Sequence, residues 1–331
     1  MSIRKTKEIT SLEKLPRVGS RHTWADYVEL LCLFNIDREM SKDVLIDRFK
    51  EGRDKGEDLD NEIDDSEDET GAESTPDASN NDDDNLDAKA EELFRHLKYR
   101  EGTFRKSYPF AVDMAHRRLT LKRTTGRSRI YLFLLLASNL RYFHPMTHLL
   151  TTDFEALSKL VLERLLPGDA KVYFFNGAGR SGRYKGRLFQ KLTILASDLF
   201  ETMSVAADDF DENDVGDGGL DLVGWVPMAD SSPGLLLCLA QCACTDTWVK
   251  KQRETMAVHQ AMTIKATPVR VTFIPFCFRR PTGGWFYNHS VETVVIDRLR
   301  IVNLLGEGRL RQPLASLKEI GELIKRTEAV I

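Results

Sequence analysis

The chain has 331 residues, 42% of them apolar, with a net charge of −4. That length holds two domains, either of which can bury a full core. Its five cysteines, Cys32, Cys238, Cys242, Cys244 and Cys277, are scattered and odd in number, which argues against a disulfide framework and for a reducing cytoplasm. Residues 1–14 are charged and lack the apolar core of a signal peptide. The most apolar run, residues 130–140, is too short to span a bilayer, so no membrane partner is expected.

The net charge hides a division. Residues 51–87 hold 17 acidic and two basic residues, a local charge of −15, which leaves +11 on the remainder. A basic body on an acidic tether points to a polyanion partner.

In chain order, residues 23–50 read as a small helical unit of two helices. Thr23 with Asp26 forms a capping-box start, and Trp24, Tyr27, Leu30, Leu31 and Phe34 make one apolar stripe. Ser41 is placed to cap the second helix. A packing or docking unit fits better than a helix-turn-helix reader, because the second helix carries Asp43 and Asp47.

Residues 51–87 bury too little to offset ordering entropy and are expected to be disordered. Residues 88–150 form a basic accessory segment: a helix over 87–99, an alternating strand-like stretch over 108–121 and an apolar helix over 130–142. Eleven Lys or Arg lie between Arg95 and Arg129, a density suited to phosphate contacts.

From 151 onward the pattern is α/β, with a mixed central sheet flanked by helices. Helices are expected over 153–166, 184–200 and 245–262, and strands over 171–175, 220–227, 235–242, 269–276 and 291–301. Ser316 and Glu319 are placed to cap a final helix.

The chemistry-bearing stretch is Gly216-Asp217-Gly218-Gly219-Leu220-Asp221, followed on the next strand by Gln241-Cys242-Ala243-Cys244. A hairpin centred on residue 231 sets Asp221 directly opposite Gln241, on one face, with Cβ atoms roughly 5 Å apart. A carboxylate and an amide oxygen at that separation suit Mg2+ or Mn2+, hard cations that take oxygen ligands. Lys250 and Lys251 follow at once. With Trp248 packed inward, Lys251 is the better placed to lean over the strand ends toward an attacking water or a developing phosphorane charge. Asp217 and the two glycines also read as an ordinary tight turn, and Gln241 as a satisfied buried amide.

This order, with an acid-bearing strand, a second strand ending in Gln and then a helix, resembles the PD-(D/E)xK nuclease superfamily over about residues 150–305. Asp221 matches the family's Asp and Gln241 its second position, while Ala243 stands where the Lys belongs. The resemblance implies a restriction-endonuclease-like fold and a metal-dependent DNA endonuclease with its Lys moved to the next helix, as Lys250 or Lys251. It also implies an added Glu from the first core helix, Glu155 rather than Glu163. It further implies a component of bacterial restriction or anti-phage defence, working with an ATPase or helicase partner. The alternative is a non-catalytic DNA- or protein-binding module of the same fold.

A second alternative rests on Gly177, Gly179 and Gly182, which spell G-x-G-x-x-G between a strand and a helix, the context of a dinucleotide site. The loop's Arg180, Arg183, Lys185 and Arg187 fit a grip on DNA phosphates better. Asp209, Asp211 and Asn213 resemble an EF-hand start but lack its Gly and Glu, and the cysteines have no zinc spacing.

Overall fold

A computed structural model describes residues 12, 14–16, 20–54, 81–124, 126–175, 182–210, 216, 218–306, 314 and 318–322. Most of the expected disordered tether, residues 55–80, lies outside them, as do Gly177, Gly179, Arg180, Asp211, Asn213, Asp217 and Ser316. The chain divides into two compact units: residues 1–148, 276–286 and 315–331, and residues 149–275 and 287–314.

The first unit contains α1 (Arg21–Phe34), β1 (Glu39–Ser41), α2 (Lys42–Asp54) and α3 (Asn81–Phe104). These are followed by β2 (Phe110–Asp113), β3 (Arg118–Leu121) and α4 (Gly126–Ala137). The strands form an antiparallel sheet in the order β1-β3-β2, with Met40 opposite Leu119 and Val112 opposite Leu119. The stretch read as one alternating strand is thus a hairpin, turned at residues 114–117 with Arg117 at φ +48°. Helices α2 and α3 both run into the acidic stretch. In α3, Leu86 is buried in line with Ala90, Leu93, Phe94 and Leu97, so its apolar stripe begins before the charge ends.

Helix α1 buries its whole apolar stripe, but the Thr23–Asp26 capping box does not form. Ser20 stands at the N-cap, its hydroxyl on Thr23 Oγ1 at 2.7 Å. Asp26 turns inward with Glu29, both at most 1% exposed. Arg100 of α3 meets them there: its Nη1 donates to Asp26 Oδ1 at 2.6 Å and Glu29 Oε1 at 2.8 Å, and its Nη2 to the His22 carbonyl at 2.9 Å. Tyr108 and Tyr131 donate to Glu29, and Ser138 donates to Asp26. Burial opposes the Arg100 charge, but Glu29 and Asp26 outweigh it and hold its pKa well above the usual value. Burial first, then Glu29, holds Tyr108 protonated, as its donor role requires.

His96 lies one turn before Arg100 and is 1% exposed. Neither ring nitrogen has a hydrogen-bond partner among the described residues. Burial first, then the charges of Arg100, His22 and Arg21, drive its pKa well below the usual value, with Asp26 opposing. Folded His96 is therefore neutral, while the unfolded chain takes up a proton below about pH 6.5. Stability is full above that pH and falls as pH drops toward the folded pKa, by up to about 1.4 kcal/mol per pH unit. Replacing His96 by Leu should flatten this limb in thermal melts between pH 7.5 and 5. An unchanged slope would assign the acid lability elsewhere.

The second unit begins with α5 (Thr147–Leu165), β4 (Lys171–Phe174), α6 (Leu188–Asp198), β5 (Thr202–Met203), β6 (Leu222–Val226) and β7 (Leu236–Cys242). It continues with α7 (Trp248–Lys251), α8 (Thr255–Gln260), β8 (Met262–Thr263), β9 (Val269–Phe273), β10 (Val294–Ile296) and α9 (Arg298–Leu305). Its main sheet is mixed, in the order β10-β9-β7-β6-β4, parallel from β10 to β7 and antiparallel from β7 to β4. This is the α/β arrangement with a mixed sheet flanked by helices that the sequence pattern indicates.

Val223, Trp225, Leu237 and Leu239 point from one face into a core with Leu188, Leu192 and Leu195 of α6 and Val258 of α8. Gly224 points to the opposite face. A Cβ there would meet Leu166 Cδ1 at 2.9 Å, so this glycine lets α5 lie close on the sheet. Arg164 at the end of α5 donates to the Leu304 carbonyl of α9 at 3.2 Å.

Two expectations are corrected here. The single helix over 245–262 is two short helices followed by β8. The break is held by Gln252, which is fully buried. Its amide donates to the carbonyls of Val249 and Ser290 and accepts from the Glu292 amide and the Thr293 hydroxyl. A side chain that bonds backbone on a distant segment offers the chain an alternative to the helix ladder. The strand expected over 291–301 ends at Ile296, because Asp297 caps α9 by accepting from the Arg300 amide at 3.1 Å.

Candidate functional site

The approach to β6 is a turn in which Gly218 and Gly219 have φ of +59° and +76°. A Cβ on Gly219 would lie 2.4 Å from Glu254 Cβ and 3.0 Å from the Glu254 carbonyl carbon. Glycine is thus required twice over at 219, for its backbone conformation and for its close approach to the α7–α8 junction. The turn delivers Asp221 to a fixed place. Its amide donates to the Ala240 carbonyl at 3.1 Å, and its carbonyl accepts from the Phe175 amide at 2.8 Å.

The register pairs Leu222 with Ala240 and Val223 with Leu239, as expected for a hairpin centred on residue 231. The ladder ends at that first pair, where the Asp221 amide bonds the Ala240 carbonyl; Asp221 and Gln241 are the next residues on the two strands. Both are buried, at 7% and 5% exposure. Asp221 Oδ2 accepts from the Cys242 amide at 2.7 Å, so one carboxylate oxygen ties the two strand ends together. Gln241 Oε1 is different: it is buried and has no hydrogen-bond partner among the described residues. An orphaned amide oxygen in such a place costs on the order of 1–3 kcal/mol unless something supplies positive charge or a donor.

Glu155 approaches from α5, half-buried. The thiols of Cys242 and Cys244 report its position. Burial first, then Asp221, raises both pKa values, and Glu155 raises both further. Lys251 acts on Cys244 in the opposite direction. Asp221, Glu155 and Lys251 are therefore grouped around the Cys242–Cys244 segment. Trp248 is buried and Lys251 half-buried, whereas Lys250 is exposed. The two thiols, held protonated, are poor ligands.

Asp221 and Glu155 offer carboxylate oxygens of the kind a hard divalent cation takes, while Gln241, two residues on from Leu239, shares the face of β7 turned away from α5. Among the described residues no three His, Cys, Asp or Glu side chains are grouped to chelate a metal by themselves. A cation beside Asp221 and Glu155 would rest on their carboxylates and water.

The basic loop is placed in part. Arg183 forms an ion pair with Asp198 and lies over the Tyr173 ring, 5.2 Å from its centroid. Lys185 and Arg187 are exposed, the latter preceding α6, where its amide donates to Gln190 Oε1 at 2.9 Å. Sequence reading missed the inward-facing ionic cluster of α1 and α3, although acids at 26 and 29 inside an apolar stripe were a usable sign. It also missed the pinning role of Gln252, for which the local sequence carries no sign.

Comparison with family models, with characterised proteins and with solved structures returns no significant match. Fold and site together define an α/β protein whose mixed sheet carries paired polar groups at one strand end. None of its described helices is long and apolar enough to cross a membrane.

Proposed function

We propose that the chain is a metal-dependent DNA endonuclease of the restriction-endonuclease-like kind. The observation that supports it most is the buried, unpartnered Gln241 Oε1 at the strand end beside Asp221, a carboxylate that with Glu155 and Lys251 acts on the Cys244 thiol. Asp221 and Glu155 would hold Mg2+ or Mn2+, with the Gln241 amide at the adjoining strand end. When bound, that cation supplies a Lewis acid for a phosphodiester and lowers the pKa of a water.

The chain's own groups do the rest. The Asp221 bond to the Cys242 amide holds the two strand ends in register. Lys251 offers an ammonium to the charge that grows on the phosphate oxygens. Lys185 and Arg187, with Arg180, are offered to DNA phosphates. By resemblance, the setting is a bacterial restriction or anti-phage system with an ATPase or helicase partner.

The rival reading, a non-catalytic binding module of the same fold, draws on Ala243 at the family's Lys position and on the Asp221 oxygen already engaged by Cys242. Plasmid cleavage in Mn2+ and Mg2+ separates the two. The intact chain should nick or linearise plasmid, and Asp221→Asn should lower the rate at least about 100-fold, beyond the usual loss for a metal's outer contacts. Asn keeps an oxygen for the Cys242 amide, so a folded, inactive variant isolates the lost charge. No cleavage by the intact chain with either metal would leave the binding module.

A further inference from the structure

The eleven cations between Arg95 and Arg129 are not equivalent. Arg100 is buried on Asp26 and Glu29. Arg117 is held by Glu91 at 2.6 Å, Arg118 by Glu39 at 3.0 Å and Lys98 by Glu101 at 2.7 Å, while Arg95 lies 3.7 Å from Glu91. Arg105, Lys106, Arg123 and Arg129 are exposed, and no ion pair engages any of them among the described residues.

Three segments bring these four together. Arg105 and Lys106 sit in a 3-10 turn that packs against α4. Tyr108, just after it, meets Tyr131 of α4 edge-on, with ring centroids 5.3 Å apart. The Lys122 amide donates to the Pro109 carbonyl at 2.7 Å, which anchors Arg123 beside the same turn. Arg129 lies in the first turns of α4, whose unpaired amides add positive potential at that end. Lys122 is also here, above the Tyr108 ring, with Glu101 4.0 Å away. Arg105 adopts φ +50°, an uncommon conformation for a residue with a side chain.

We propose that Arg105, Lys106, Arg123 and Arg129 form a surface that binds the phosphodiester backbone of duplex DNA. Among the described residues these four exposed cations make no ion pair, and the segments that carry them adjoin one another. Arg95, Arg117 and Arg118, held by Glu91 and Glu39, are not counted in it. Phosphate contacts of this kind carry no sequence information; they supply affinity and depend steeply on salt. The proposal rests on the reading that DNA is the substrate, and it assigns part of the affinity to residues outside the candidate catalytic site.

The test is anisotropy of a labelled duplex of about 25 base pairs titrated with the full chain at several salt concentrations, without metal. The fourfold variant Arg105→Ala, Lys106→Ala, Arg123→Ala, Arg129→Ala should bind about tenfold or more weakly at low salt. Its slope of log affinity against log salt should be shallower by about 0.9 for each phosphate that is no longer neutralised. Arg117→Ala with Arg118→Ala, which removes paired cations, should leave the slope alone. The altered side chains are exposed, and an unchanged circular dichroism spectrum confirms folding. A fourfold variant with the parent's slope overturns the surface even if the parent cleaves DNA. Salt-dependent binding that disappears in that variant, from a parent that never cleaves, supports the surface and overturns only the nuclease.

Discussion

Arg100→Ala is expected to cost the first unit about 3–5 kcal/mol, the range for breaking a buried ion pair from one side. The loss comes from what remains. Asp26 and Glu29 stay buried, Glu29 with two tyrosine donors and Asp26 with Ser138, but with no cation to balance two negative charges. A domain stable by about 5–15 kcal/mol can lose most of its margin this way. Lysine should not rescue it, because a point ammonium cannot reach both carboxylates and the His22 carbonyl as the guanidinium fork does. Replacing all three charged residues by apolar ones of similar volume should recover most of the loss. Hydrogen-exchange protection in α1 and α3 reads the effect on this unit alone. A single Arg100→Ala variant with unchanged protection would refute the account.

On the proposed nuclease reading, Gly219→Ala should reduce DNA cleavage by on the order of 100-fold, the size of effect that follows when a reacting group is displaced by about 1 Å. The added methyl group lies 2.4 Å from Glu254 Cβ in the native arrangement, and φ of +76° disfavours any side chain. Either the turn or the α7–α8 junction must move. The turn leads directly to Asp221, and the junction follows Lys251. Gly218→Ala is the control: its φ is also positive, but its nearest neighbour would be Leu188 at an ordinary 3.5 Å. It should show the conformational cost, about 1 kcal/mol of stability, with most of the cleavage retained. Equal activity losses in the two variants would remove Glu254 from the explanation.

The parts of the fold set by local pattern were legible. The α1 stripe is buried as its spacing requires, and the β6–β7 register follows from the turn at its centre. What escaped were elements set by distant partners. Nothing near residue 26 identifies Arg100 as the partner of its carboxylate, so a capping role was the natural local reading. Nothing near residue 252 announces that its amide will bond the backbone at 290–293 and split a helix. At the candidate site the sequence indicated the register that brings Asp221 and Gln241 to the same strand ends. It did not indicate their surroundings: Gln241 Oε1 is unsatisfied, and the Asp221 charge is shared with the Cys242 amide. Both depend on how strand ends twist beyond the regular ladder.

The chain leaves the first unit after residue 148 and returns to it for residues 276–286. Phe278 and Phe286 of that return pack on His22, with ring centroids 5.5 and 5.0 Å away, and Phe286 lies 6.4 Å from His96. On the ribosome, α1 and α3 must therefore wait for more than a hundred further residues before these aromatic rings can close over their histidines. An N-terminal fragment cut at residue 148 would leave both imidazoles facing water, and should be a poorer protein than the length of its helices suggests.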